Sequence, residues 1–177
     1  MGISRTAVPL LFILIMSCAP RPAPQPSWTF EKGAIRIGYR ADPMLNAYDG
    51  AAHTVVLAVY QHTGPETFSD VAKTRNGILS LLEGKKFDDS VVGYGTWIIQ
   101  PGQEGAIRLD RSENARWVGI VAGYYDLVPD RMTAVFSVPV VTTKTGVFRK
   151  RTTVRVSPLL IDLPLGNNGI QRVGKHS

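Results

Sequence analysis

Seven consecutive residues, Thr54-Val55-Val56-Leu57-Ala58-Val59-Tyr60, are apolar or β-branched at every position. Strand side chains alternate between faces, so this run reads as a strand covered on both sides. The segment before it, Ala34-Ile35-Arg36-Ile37-Gly38-Tyr39-Arg40, alternates instead. Ile35, Ile37 and Tyr39 share one side and Arg36 and Arg40 the other, the pattern of a strand with one wet face. Residues 42–52 join the two, a connection longer than the two to five residues of an ordinary hairpin turn. That loop carries Met44, Leu45 and Tyr48 where loops are normally polar, between Asp, Pro, Asn and Gly residues that favour exposure. Apolar loop tips on a stiff strand pair read as a contact surface; the alternative is that Leu45 and Tyr48 fold back and seal the sheet edge.

The chain opens with Arg5 and an apolar run over residues 7–16. About ten apolar residues fall short of the roughly 20 that cross a membrane as a helix, and the pattern is that of a secretory leader. It ends in Ile15-Met16-Ser17-Cys18, which resembles the bacterial lipobox: an aliphatic residue three before the Cys and a small one directly before it. That resemblance implies a diacylglycerol on the Cys18 thiol and, after cleavage, an N-acylated Cys18 at the new N-terminus. Cys18 is the one cysteine in the sequence, so no intrachain disulfide is possible, and lipidation gives an exported thiol a purpose. Ala19 in place of Asp directs such a lipoprotein to the outer membrane under the enterobacterial sorting rule.

Prolines at 20, 22, 24 and 26 then favour extended polyproline II. At roughly 3.1 Å per residue the nine residues 19–27 form a tether of about 28 Å. The expected organisation is a leader over 1–17, the lipidated Cys and tether over 18–27, a β-sandwich domain over 28–164 and a flexible tail over 165–177. The excess of base, 20 Lys+Arg against 14 Asp+Glu, suits acidic proteins, anionic lipid or cell-wall polymer, while export argues against nucleic acid.

After His62-Thr63-Gly64-Pro65, the residues Phe68, Val71, Ala72, Leu79 and Leu82 recur at helical spacing, with Thr67 or Ser69 as the cap and Gly84 as the stop. Asn76-Gly77 weakens the middle and allows two short helices. From Val91 the pattern is almost wholly β. Segments 94–100, 104–110, 133–138, 152–157 and 159–163 surround the apolar run 115–125, which reads as a central strand whose glycines mark a bulge or a close backbone approach. About eight short strands between turn signals predict a mainly β, two-sheet sandwich with a small helical insertion.

The order of features resembles the TssJ family, the outer-membrane lipoproteins of bacterial type VI secretion systems. The features are the lipobox, the Pro-rich tether, Leu45-Asn46 in a long first loop, Ala58-Val59-Tyr60-Gln61, Phe68 opening a helix, Pro101-Gly102, and Ala115-Arg116-Trp117-Val118-Gly119-Ile120-Val121-Ala122-Gly123-Tyr124. The resemblance implies a transthyretin-like β-sandwich and no enzymatic activity. It also implies membership of an envelope-spanning complex with TssM and TssL, in which the first loop contacts the periplasmic part of TssM. On this chain the contact residues would be Met44, Leu45, Asn46 and Tyr48, with Asp42 and Asp49 at the rim. His62 stands where the family usually has Leu, and the C-terminal third lies outside the likeness.

Catalytic chemistry finds little footing. No Ser, His and acid arrangement and no Gly-rich phosphate cradle stands out, and neither a catalytic residue nor a small-molecule substrate or cofactor is expected. Asp42, Asp49, His53 and His62 match no standard metal-ligand spacing and read as loop carboxylates with solvated histidines. Trp28, Trp97, Trp117, Tyr124 and Tyr125 read as core or interface packing; the alternative is a glycan groove on an unrelated cell-wall-binding lipoprotein. The basic residues Arg149, Lys150 and Arg151 read as a hairpin arm, solvated or in contact with anionic lipid or an acidic partner.

Overall fold

The computed structural model describes residues 24–146 and 151–171. The leader, Cys18 and the first part of the tether lie outside the described residues, as do Arg149 and Lys150. Residues 24–27 are without regular structure.

The described residues form nine strands and three short helices: β1 (Glu31–Ala41), β2 (Val55–His62), α1 (Glu66–Val71), α2 (Arg75–Leu82), β3 (Val91–Ile99), β4 (Glu104–Arg111), β5 (Trp117–Gly123), α3 (Pro129–Met132), β6 (Thr133–Ser137), β7 (Val140–Thr145), β8 (Arg151–Val156) and β9 (Leu159–Leu165). They pair as a three-stranded sheet β4-β1-β9, a four-stranded sheet β3-β2-β5-β6 and a separate β7-β8 ribbon. All ladders are antiparallel except β1 with β9, where Ile35 faces Leu159 and Ala41 faces Leu165. One core cluster draws Ile35 and Ile37 from β1, Leu57 and Val59 from β2, Ile107 from β4, and Ile161 and Leu163 from β9. The sandwich predicted from the strand spacing is therefore the observed fold.

β2 is covered on both sides except at Val56, which is exposed near its start. Gln61 turns toward β4, donating from Nε2 to the Asp110 carbonyl (2.9 Å) and accepting at Oε1 from the Ser112 amide (2.8 Å). Tyr60 turns the other way, under α2, where its hydroxyl donates to the Leu81 carbonyl (2.5 Å). The same face of β5 carries Gly119 and Gly123, paired with Tyr60 and Val56. A Cβ on Gly119 would lie 2.7 Å from the Phe68 ring, and one on Gly123 would lie 3.1 Å from Leu82. Of the two readings of these glycines, close approach holds: they let the helical insertion sit against the sheet.

Several expectations need correction. The insertion is two helices. α1 follows Pro65 with no side-chain cap, and Thr74 caps α2 by accepting from the Gly77 amide (3.0 Å), so neither Thr67 nor Ser69 is the cap. Leu79 points to solvent. β7 is a ninth strand, hidden from periodicity because all six residues are exposed. The sandwich does not stop at residue 164. β9 ends at Leu165, Leu165 bridges Ile170, and the Ile170 amide donates to the Arg131 carbonyl (2.7 Å), so residues 165–171 pack on the domain. Residues 172–177 lie outside the described residues.

Candidate interaction surface

The connection between β1 and β2 is a built structure. Asp42 ends β1 with its amide on the Leu165 carbonyl (2.8 Å), and its Oδ1 accepts from the Met44 amide (2.7 Å). The Tyr48 and Ala51 amides and carbonyls exchange both hydrogen bonds (2.9 and 3.0 Å) around Asp49-Gly50. Those two residues have φ of 50° and 74°, the double left-handed pattern of a type I′ turn, which Asp-Gly suits because both tolerate it. The Ala47 amide donates to the Asn167 carbonyl (2.8 Å), so the C-terminal segment braces the loop.

The six residues assigned to this surface divide by burial. Leu45 is fully buried and belongs to the core. Asn46 is buried with φ at 50°; its Nδ2 donates to the Thr54 carbonyl (3.0 Å) and its Oδ1 accepts from the Tyr125 amide (2.7 Å). Both hold the loop from inside and present no side chain to a partner, which corrects the expectation for Leu45 in particular. The reason is the Asp42 turn, which swings residue 45 back over the end of the sandwich while Met44 stays outside.

Met44 is 43% exposed and Tyr48 47%. The Tyr48 ring stacks on Tyr125, itself 60% exposed, with centroids 3.5 Å apart and planes at 24°. Tyr125 is the residue that sequence reasoning did not bring here. Its signal was its phase: it follows buried Tyr124 just past the end of β5, so it turns outward. Asp49 follows Tyr48 in the turn, and Asp42 opens the loop.

At the opposite end of β1 the tether meets the domain. The Trp28 carbonyl accepts from the Asn114 amide (2.7 Å), and its ring lies under the guanidinium carbons of Arg111 (5.8 Å) and Arg116 (5.5 Å). Arg111 is buried and donates from Nη2 to Glu31 (3.1 Å). A cation held over an indole face is attractive, so Trp28 fixes the exit of the tether. β1 spans 11 residues, which at about 3.3 Å per residue separates this end from the loop by roughly 33 Å.

His62 is fully buried, where the sequence suggested a solvated ring. It stacks on Phe68 (centroids 5.5 Å, planes at 11°), its Nδ1 meets the Gly64 carbonyl, and its Nε2 has no hydrogen-bond partner. Burial pushes its pKa below the ordinary histidine value, more than the Gly64 carbonyl and the nearby Asp88 and Glu66 raise it. His53 precedes β2 and His62 ends it, so the strand holds them apart. Among the described residues no three His, Cys, Asp or Glu side chains gather as metal ligands. The aromatics do not share a groove: Trp28 is at the tether end, while Tyr124 and Tyr125 follow β5 at the loop end.

A sequence-family profile described as "Type VI secretion lipoprotein, VasD, EvfM, TssJ, VC_A0113" matches residues 34–158. No curated protein matches the chain. Among solved structures, the fold is similar to that of the T6SS lipoprotein TssJ1 from Pseudomonas aeruginosa (24% identity, TM-score 0.57, covering 86% of this chain and 99% of that one). It is similar also to Serratia marcescens Lip, described as a membrane bound component of the Type VI Secretion System (18%, 0.58, covering 80% and 97%). A third likeness is to a structure described as "T6SS protein TssM C-terminal domain (869-1107) from EAEC" (14%, 0.56, covering 79% and 97%).

Proposed function

Because the chain belongs to the TssJ family of type VI secretion lipoproteins, we propose that it is a non-enzymatic, lipid-anchored subunit of the envelope-spanning membrane complex, binding the periplasmic domain of TssM. In this reading acylated Cys18 holds the domain on the periplasmic face of the outer membrane, and TssL belongs to the same assembly. The domain boundaries follow: leader to residue 17, anchor and tether to 27, then the sandwich.

The observation that carries the reading is the exposed Tyr48–Tyr125 stack, with Met44 also exposed on the same hydrogen-bonded loop as Tyr48, at the far end of the domain from the tether. Exposed apolar side chains on a rigid support are what a docking anchor needs, since the support lowers the ordering cost of binding. Asp42 and Asp49 supply the polar rim, and Leu45 and Asn46 act by holding the loop in shape.

The test pairs affinity with stability. In the full mature chain, Met44→Ser with Tyr48→Ser should weaken binding to the periplasmic domain of TssM at least tenfold, about 1.4 kcal/mol. The melting temperature should barely move, because both side chains are half exposed. Unchanged affinity would place the TssM contact elsewhere on the domain.

A further inference from the structure

The net charge of this chain is concentrated in one segment. Residues 131–161 contain six Lys and Arg and no Asp or Glu, which leaves fourteen of each sign in the rest of the sequence. Most of that segment is the β7–β8 ribbon and its connections. Every residue of β7 is exposed, and Lys144, Arg151 and Arg155 project from the ribbon into solvent. Arg149 and Lys150 lie outside the described residues and enter only through their charge.

The root of the ribbon is where the tether leaves. Ser137 closes β6 opposite Trp117, and the next residue, Val138, donates its amide to the Arg116 carbonyl (2.8 Å). Arg116 is the residue whose guanidinium covers Trp28. One residue thus joins the tether clamp to the base of the arm. β6 runs toward this end of the sheet and β7 follows after Val138 and Pro139, while β9 begins beside Ile35 and runs away from it.

We propose that the β7–β8 ribbon is a cationic arm that rests on the anionic headgroups of the membrane to which Cys18 is anchored. The proposal rests on the lipoprotein reading of Cys18. The acyl chains already hold the protein, so the arm's task is orientation: a Pro-rich tether fixes distance and leaves rotation free. Six residues of β7 reach about 20 Å, comparable to the roughly 28 Å of the tether, so both can meet one surface. With the arm down, the Tyr48–Tyr125 knob faces away from the membrane. A lipid surface fits better than an acidic protein because the ribbon that carries Lys144, Arg151 and Arg155 is rooted at the membrane-proximal end, and clustered Lys and Arg are attracted to anionic leaflets.

The experiment uses the mature chain with Cys18→Ser, which has no acyl group, and phosphatidylcholine vesicles with or without about 30% phosphatidylglycerol. Sedimentation with the anionic vesicles is expected, and little with the neutral ones, with at least a tenfold loss when salt rises from about 0.05 M to about 0.3 M. Lys144→Glu, Arg151→Glu and Arg155→Glu together should weaken binding at least tenfold. Arg36→Glu, Arg75→Glu and Arg108→Glu, exposed charges elsewhere on the domain, should retain most of it. Equal binding to both vesicle types, or equal loss in both triple variants, would overturn the proposal. So would absence of vesicle binding with loss of an acidic protein partner in the arm variant. Palmitate incorporation at wild-type Cys18 is scored separately; its absence would remove the anchor while leaving the vesicle result to judge the arm's affinity.

Discussion

Replacing Gly119 with Ala tests how the helical insertion is seated. The added Cβ would lie 2.7 Å from three carbons of the Phe68 ring, against about 3.5–4.0 Å for a normal carbon contact. The ring is hemmed in by other aromatics: Phe68 is fully buried, stacked on His62 and tilted against Tyr60 at 6.0 Å. Overpacking of this kind costs about 1–3 kcal/mol. For a domain of this size, ~2 kcal/mol lowers the melting temperature by about 4–8 °C. Calorimetry or circular dichroism on the soluble Cys18→Ser chain reads that shift. Gly38→Ala is the control, because a Cβ there meets nothing nearer than the Ile161 carbonyl at 3.7 Å, and it should stay within about 0.5 kcal/mol. Adding Phe68→Leu to Gly119→Ala should recover part of the loss, a coupling of roughly 1 kcal/mol. A Gly119→Ala chain that melts with the control would mean that the helices do not rest on β5.

Two further outcomes are expected. Leu45→Ala should destabilise by about 2–5 kcal/mol, as for a deeply buried leucine, whereas Met44→Ala should fall within about 0.5 kcal/mol; similar urea midpoints for these neighbours would refute the division of the loop into root and tip. His62, held neutral by burial, binds fewer protons folded than unfolded. Its contribution is complete above the unfolded value of about 6.5 and is lost as pH falls through the depressed folded value. His62→Leu should therefore flatten stability between about pH 7.5 and pH 5; a parallel decline in both chains would assign the acid sensitivity to another group.

What the sequence determined by itself is what local chemistry can encode. Alternation in residues 34–40 and its absence in 54–60 mark one half-wet strand and one with two apolar faces, because side-chain period depends on the strand alone. Asp49-Gly50 tolerates positive φ wherever it occurs, and a run of prolines excludes regular pairing. Tertiary structure decided the rest, because it depends on residues far apart in the chain. Leu45 and Met44 look alike in sequence, and only the Asp42 turn sends one inside. His62 reads as a polar strand end, yet α1 lies over it with Phe68. β7, with no buried face, leaves no period to detect, and the parallel pairing of β1 with β9 joins residues more than a hundred positions apart. The tether clamp needed Trp28 brought against Arg111 and Arg116, more than eighty positions further along the chain. A one-dimensional pattern states which faces must be covered; the identity of the cover is settled by register and by packing between distant segments.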